Sequence, residues 1–268
     1  MQLGLQGRRV LVTGSWRGTG AATARAFAAE GADVFVHGFD EGQGRAVTGE
    51  IVAAGRLARD VDGDITTAAG AARVADSVLA SGPLDVLVNN YGIASGGSWD
   101  HCDVDHWQQM YERNVLCGVR MARAFVPAMR ERRWGRVIFV GTVGSVRPRA
   151  VMPGYYAAKA ALPAVVLSLA KELAGTGITV NCVSPGVLRT AEVEAHFRAR
   201  AARKGWGEDW NEIERRAVAE SVGAGSAASR LGLPEDVASA VVFLASDAAS
   251  YINAVDLRVD GGAADCVR

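Results

Sequence analysis

The chain has 268 residues, with 29 Lys+Arg balanced by 29 Asp+Glu. That length suits one α/β domain with a full core, and the balanced charge gives no reason to expect nucleic acid or an anionic membrane surface as partner. No stretch approaches the ~20 apolar residues of a membrane span.

The opening MQLGLQGRRVLVTG has too short an apolar run before Arg8 and Arg9 for a signal peptide. Cys102, Cys117, Cys182 and Cys266 lie far apart without a C-x-x-C pair, so neither a zinc site nor a disulfide framework is expected. The chain reads as soluble, reduced, cytoplasmic and metal-free.

Seven β-branched runs are candidate strands: residues 9–13, 33–37, 56–61, 85–89, 136–140, 178–183 and 255–259. Most lack strict alternation, as expected for strands buried on both faces of a parallel sheet. Helical patterns lie between them. ATARAFAAEG closes on Gly31 as a stop, and PEDVASAVVFLASD opens with Pro234 at a first helical position. The alternation predicts a single domain over 1–268, a doubly wound parallel sheet of about seven strands with helices on both faces.

The first run leads directly into TGSWRGTGAATARAF. Gly14, Gly18 and Gly20 let the backbone turn tightly and approach a pyrophosphate resting on a helix N-terminus. Further on, GYYAAK puts Lys159 four residues after Tyr155 and three after Tyr156, both neighbouring positions on a helix. An ammonium beside a phenol favours the phenolate and lowers its pKa from about 10. Helix geometry leaves both tyrosines open as the acid/base. Pro163, four residues after Lys159, removes the amide that would bond the Lys159 carbonyl and predicts a bend. From Glu192 to about Gly225 the rhythm breaks into a highly charged amphipathic stretch. An insertion there sits over the carboxyl ends of the strands, so a helical substrate lid is expected at 191–225.

These pieces occur in register with NNYG (89–92), Asn114, the Thr142 region, PGVLRT (185–190) and RVDGG (258–262). The chain thereby resembles the short-chain dehydrogenase/reductase family over essentially its whole length. The resemblance implies a Rossmann-type sheet and an oxidoreductase moving a hydride between NAD(P)(H) and a ketone or secondary alcohol. It also implies a homotetramer or homodimer. The family's Tyr-x-x-x-Lys falls on Tyr155 and Lys159, making Tyr155 the acid/base and Tyr156 a packing or substrate-wall residue. Lys159 is expected to lower the Tyr155 pKa and bond the nicotinamide ribose. Thr142 stands where the family has serine, with Ser145 as fallback, and Asn114 matches the asparagine that bends its helix. The coenzyme residues implied are Gly14, Ser15, Arg17, Gly18, Thr19, Gly20, Asp64, Ile65, Asn90, Tyr155, Lys159, Val187 and Thr190.

Departures from the family pattern bear on the coenzyme and substrate. Gly38 occupies the strand-end position that NAD-type members fill with aspartate, and Arg17 is placed as in members that clamp a 2′-phosphate. NADP(H) is therefore favoured over NAD(H), although Phe39 replaces an arginine and Asp40 could still reach a ribose. Tyr91 stands where alanine is usual, so its ring must fit beside the coenzyme cleft or swing towards the substrate. Arg147 and Arg149, with Arg198, Arg200, Arg203 and Lys204, could favour an anionic substrate. Trp99, Trp206 and Trp210 could instead build an apolar pocket. The other classes open are a non-redox epimerase, dehydratase or dehalogenase-like member and a catalytically silent dinucleotide-binding protein. An intact glycine loop, Tyr155 and Lys159 speak against both.

Overall fold

The computed structural model describes residues 2–221 and 228–264. Its strands are β1 (Arg9–Val12), β2 (Asp33–Gly38), β3 (Ala58–Asp62), β4 (Val86–Asn89), β5 (Gly135–Val140), β6 (Ile178–Pro185) and β7 (Asp256–Val259). Among the described residues they form one seven-stranded sheet in the order β3-β2-β1-β4-β5-β6-β7. Every neighbouring pair is parallel. The expected strands are all present, with ends shifted by a residue or two.

Strand alternation explains why these runs look continuously apolar. Leu11, Phe35 and Leu87 enter one core with Phe125, Phe139 and Met121. Their neighbours Val10, Val12, Val34 and Val36 enter a second core on the opposite face, with Phe27 and Val241. Because both faces are covered, neither set of positions can be polar.

The helices are α1 (Gly18–Ala29), α2 (Arg45–Ala53), α3 (Ala68–Leu79), α4 (Val104–Tyr111), α5 (Cys117–Glu131), α6 (Pro153–Ala160), α7 (Leu162–Glu172), α8 (Ala191–Lys204), α9 (Trp210–Ser221) and α10 (Pro234–Ala245). Gly31 has φ +82°, the left-handed geometry expected of a stop after α1. Among the described residues no helix is long and apolar enough to cross a membrane.

Two local breaks position the site. A stretch of π-helix, Glu112–Leu116, joins α4 to α5 and carries Asn114. The second break lies at Ala161, between α6 and α7. Pro163 offers no amide to the Lys159 carbonyl, and the Ala161 amide bonds the Ala158 carbonyl instead, at 3.1 Å.

Helices α8 and α9 have a small core of their own. Phe197, Trp206, Ile213 and Ala217 pack with Leu231. The tail of the expected lid, residues 222–225, lies outside the described residues, as does Cys266.

Gly70 tests how tightly the crossovers are fitted. A Cβ there would run into the backbone of Asp64. Gly70→Ala is expected to cost about 1–3 kcal/mol through overpacking, measured as a lower midpoint in urea unfolding.

Candidate active site and coenzyme cleft

The strand order reverses between β1 and β4, and at their carboxyl ends lies a cleft of about 750 Å³. Crevices of this kind take ligands in doubly wound sheets. Its inner end is lined by Thr142, Tyr155 and Lys159, its outer end by Trp16, Arg17 and Phe39.

The glycine loop opens this cleft. Gly14 and Gly18 have φ of +64° and +54°, and a Cβ on Gly20 would lie 2.5 Å from Asn90 Nδ2. Asn90 Nδ2 donates to the carbonyls of Thr13 (2.9 Å) and Gly14 (3.2 Å), tying β4 to the loop. Helix α1 then starts with no side-chain cap and no acid in its first turn. Its free amides and positive dipole end suit a pyrophosphate. The cleft volume and this uncapped helix end together fit a dinucleotide.

His37, which the sequence reading passed over, holds the loop from behind. The Gly14 amide donates to its Nδ1 at 2.9 Å, and its Nε2 lies 2.9 Å from the Gly63 carbonyl. Nδ1 is thus the acceptor and Nε2–H the donor of a neutral ring. Ser15 is turned inward as well: its hydroxyl donates to the Val12 carbonyl (2.7 Å) and accepts from the His37 amide (2.8 Å).

Of the other expected coenzyme residues, Gly14, Arg17, Gly18, Thr19, Gly20, Asn90, Val187 and Thr190 line the cleft. Asp64 and Ile65 do not. The Asp64 carboxylate accepts from the Thr66 amide and hydroxyl at 2.9 and 2.6 Å, and the Ile65 side chain is core. Tyr91 resolves beside the cleft, its ring 4.5 Å from that of Phe39, with Trp16 edge-on to Phe39 at 5.7 Å. Burial pushes the Tyr91 phenol up to about 12.

At the inner end, Asn114 is buried in the π-helical stretch. It donates to the carbonyls of Met110 (2.9 Å) and Ile93 (3.1 Å) and accepts from the Ile93 amide (3.1 Å). A Cβ on Gly92 would lie 2.7 Å from both Asn114 Oδ1 and Lys159 Nζ. Only glycine leaves room for that convergence. Lys159 is buried, and among the described residues its one hydrogen-bond partner is the Val140 carbonyl, at 2.7 Å. Burial lowers its pKa.

Tyr155 and Thr142 both line the cleft and an adjoining cavity of about 550 Å³. Ser145 lines neither and donates to the Thr142 carbonyl at 2.8 Å. Burial pushes the Tyr155 phenol up to about 12, the Thr142 hydroxyl working against it. The expected lowering by Lys159 is absent, because the ammonium is turned to Val140. Tyr156 is buried and lines only the adjoining cavity, with Arg147, Arg149, Met152 and Glu220.

The residues of the two substrate expectations fall in different places. Trp206 belongs to the core of the α8–α9 pair, Trp210 packs against it, and Trp99 stacks 5.1 Å from Trp107 on the surface. None lines either cavity. Of the lid cations, Arg198 pairs with Glu194 at 2.8 Å, and Arg200 and Lys204 with Glu220 at 2.5 and 2.8 Å, whereas Arg147 and Arg149 line the smaller cavity.

Comparison with known proteins agrees over the whole chain. A family model described as enoyl-(acyl carrier protein) reductase matches residues 14–264. A 3-oxoacyl-[acyl-carrier-protein] reductase of Salmonella typhimurium is 34% identical over 97% of this chain and 98% of its own length. The 2,3-dihydro-2,3-dihydroxybenzoate dehydrogenase of Escherichia coli is 36% identical over 96% of each chain. The structure of L-sorbose reductase from Gluconobacter frateurii, complexed with NADPH and L-sorbose, superposes with a TM-score of 0.92, at 31% identity and full coverage of both chains.

His37 carries a pH signature. Burial lowers its pKa from 6.5 to about 4. Between those values the unfolded chain takes up a proton that the fold refuses. The stability it contributes is whole above pH 6.5 and is lost as pH falls towards 4. Wild type is expected to lose about 3 kcal/mol more over that window than His37→Gln, measured by urea unfolding at stepped pH.

Proposed function

The chain belongs to the short-chain dehydrogenase/reductase family, and from that premise we propose that Tyr155, Thr142, Lys159 and Asn114 form its catalytic group. The protein is an NAD(P)-dependent oxidoreductase acting on a ketone or secondary alcohol. When bound, the nicotinamide ring gives a hydride to the carbonyl carbon or takes one from the alcohol carbon.

The observation that carries the residue roles is that Tyr155 and Thr142 both stand at the junction of the two cavities, lining each of them. A ketone reaching that junction from the smaller cavity meets two hydroxyl groups. Thr142 holds the reacting oxygen, and Tyr155 passes its phenolic proton to that oxygen as negative charge develops there. With its pKa raised to about 12, Tyr155 is protonated at neutral pH, which suits the reductive direction. Lys159 is placed to offer its remaining protons to the coenzyme ribose and to the tyrosine side of the cleft. Asn114 keeps the π-helical stretch open beside it, supporting a water-borne proton path to the lysine.

NADP(H) is the preferred coenzyme in this reading. Arg17 is the basic side chain at the outer end of the cleft, and Gly38 leaves the strand end without the acid that would repel a 2′-phosphate. NADPH in the sorbose reductase complex supports the same preference. The α8–α9 segment acts as a substrate lid, its Val193 and Glu192 reaching the cleft wall and its Glu220 the smaller cavity. The groove between α5 and α7, lined by Val119, Val126, Ala164 and Val165, supports pairing with the same helices of a second copy as a homodimer or homotetramer. Buried free thiols at Cys102, Cys117 and Cys182 support a reducing, cytoplasmic setting.

Ketone reduction by the purified protein, followed through NADPH absorbance, tests the assignment. Tyr155→Phe is expected to lower turnover roughly 10²–10⁴-fold while NADPH still binds. Thr142→Ala should slow the reaction strongly, whereas Ser145→Ala and Tyr156→Phe should keep most of it. An active Tyr155→Phe beside an inactive Tyr156→Phe would reverse the assignment.

A further inference from the structure

Arg17 and Glu192 are 175 residues apart in sequence, yet Arg17 Nη1 donates to Glu192 Oε1 at 2.6 Å. The first residue sits on the glycine loop, the second in the first turn of α8, and both line the coenzyme cleft. Their bridge joins the two walls of the cleft at its outer end. Among the described residues lining the cleft, Glu192 is the one carboxylate, and Arg17 and Lys159 are the cations. Lys159 is buried at the far, catalytic end.

Glu192 stays ionised at neutral pH. Its own backbone amide, the Thr190 hydroxyl and Arg17 all hold its carboxyl below the usual range, and the N-terminal turn of a helix favours an anion. The bridge itself is weak and exchangeable, because the side chains remain 65% and 56% exposed.

We propose that Glu192 tunes coenzyme preference by sharing Arg17 with the 2′-phosphate of NADP(H). This rests on the reading of Arg17 as the 2′-phosphate contact. A guanidinium takes a phosphate best through two parallel N–H donors. The Glu192 carboxylate already holds Nη1, which leaves the Nε–Nη2 pair as the open fork. A 2′-phosphate brings up to two further negative charges to the same guanidinium, so it either displaces the carboxylate or binds beside it against like-charge repulsion. NAD(H), with a 2′-hydroxyl, leaves the bridge in place. The outer end of the cleft offers no second cation to relieve this competition, since Trp16 and Phe39 fill the adjacent wall. Glu192 is thus a specificity-determining residue that makes the enzyme less selective for NADP(H) than Arg17 alone would.

Calorimetric titration of NADPH and NADH into wild type, Glu192→Gln, Arg17→Gln and the double variant, at low salt, tests this. Unchanged melting temperatures would show that the variants are folded. Glu192→Gln is expected to raise the NADPH:NADH affinity ratio about two- to fivefold, and raising the salt should shrink that gain. Arg17→Gln should collapse the ratio, and adding Glu192→Gln to it should change nothing further. A ratio that is unchanged or lower in Glu192→Gln overturns the proposal while a collapse in Arg17→Gln keeps the Arg17 reading intact. A ratio untouched by Arg17→Gln overturns the Arg17 reading, and this proposal with it.

Discussion

The coenzyme end of the molecule depends on one neutral imidazole. His37 accepts from Gly14 on one side and bonds the Gly63 carbonyl on the other, so a single ring joins the loop after β1 to the loop after β3. The Gly14 bond is lost when Nδ1 is protonated, because a cationic ring has no acceptor for that amide, while Nε2–H still donates to Gly63. Burial enforces the neutral form. The glycine loop can therefore be small and unhindered towards its ligand, since its rigidity is supplied from behind by a side chain that never reaches the cleft.

The catalytic end is built by interrupting helices. A regular helix through residues 112–116 would keep its carbonyls in the i→i−4 ladder. The π-helical stretch instead lets Asn114 bond Met110 in its own helix and Ile93 in the segment after β4. Proline at 163 ends α6 just beyond Lys159, freeing the lysine from a long rigid cylinder. Both breaks bring a polar side chain to Gly92, the one point where the backbone is narrow enough to receive them.

The sheet was legible in the sequence because burial on both faces forces β-branched runs, and those runs are local signals. Gly31 and Pro234 were legible for the same reason, each being a backbone constraint written in one residue. The site was legible only through the spacing of YYAAK and the glycine loop, and helix geometry alone could not separate Tyr155 from Tyr156. Their surroundings in the fold differ: Tyr155 lines both cavities, whereas Tyr156 packs against Gly144 and lines only the smaller one. Non-local facts stayed hidden. His37 read as one more residue of a strand, Ser15 as a coenzyme residue rather than an inward tie, and Glu192 only as the start of the charged lid stretch. The tryptophans misled because aromatic content says nothing about which cavity a ring faces, and Trp206 serves the core of its own helix pair.

Charge around Lys159 explains how one buried ammonium can serve a reaction that moves a proton. Cys117 and Cys182 lie near enough to interact with it, but burial pushes their thiols up to about 11 and 12. They remain neutral and do not compensate the lysine. Val140 gives it a carbonyl dipole and no countercharge. An ammonium so poorly compensated favours any negative charge brought near it, and Lys159 lines the cleft proposed to take the coenzyme. The same burial that raises the resting pKa of Tyr155 thus also lowers that of Lys159, which is left without a countercharge.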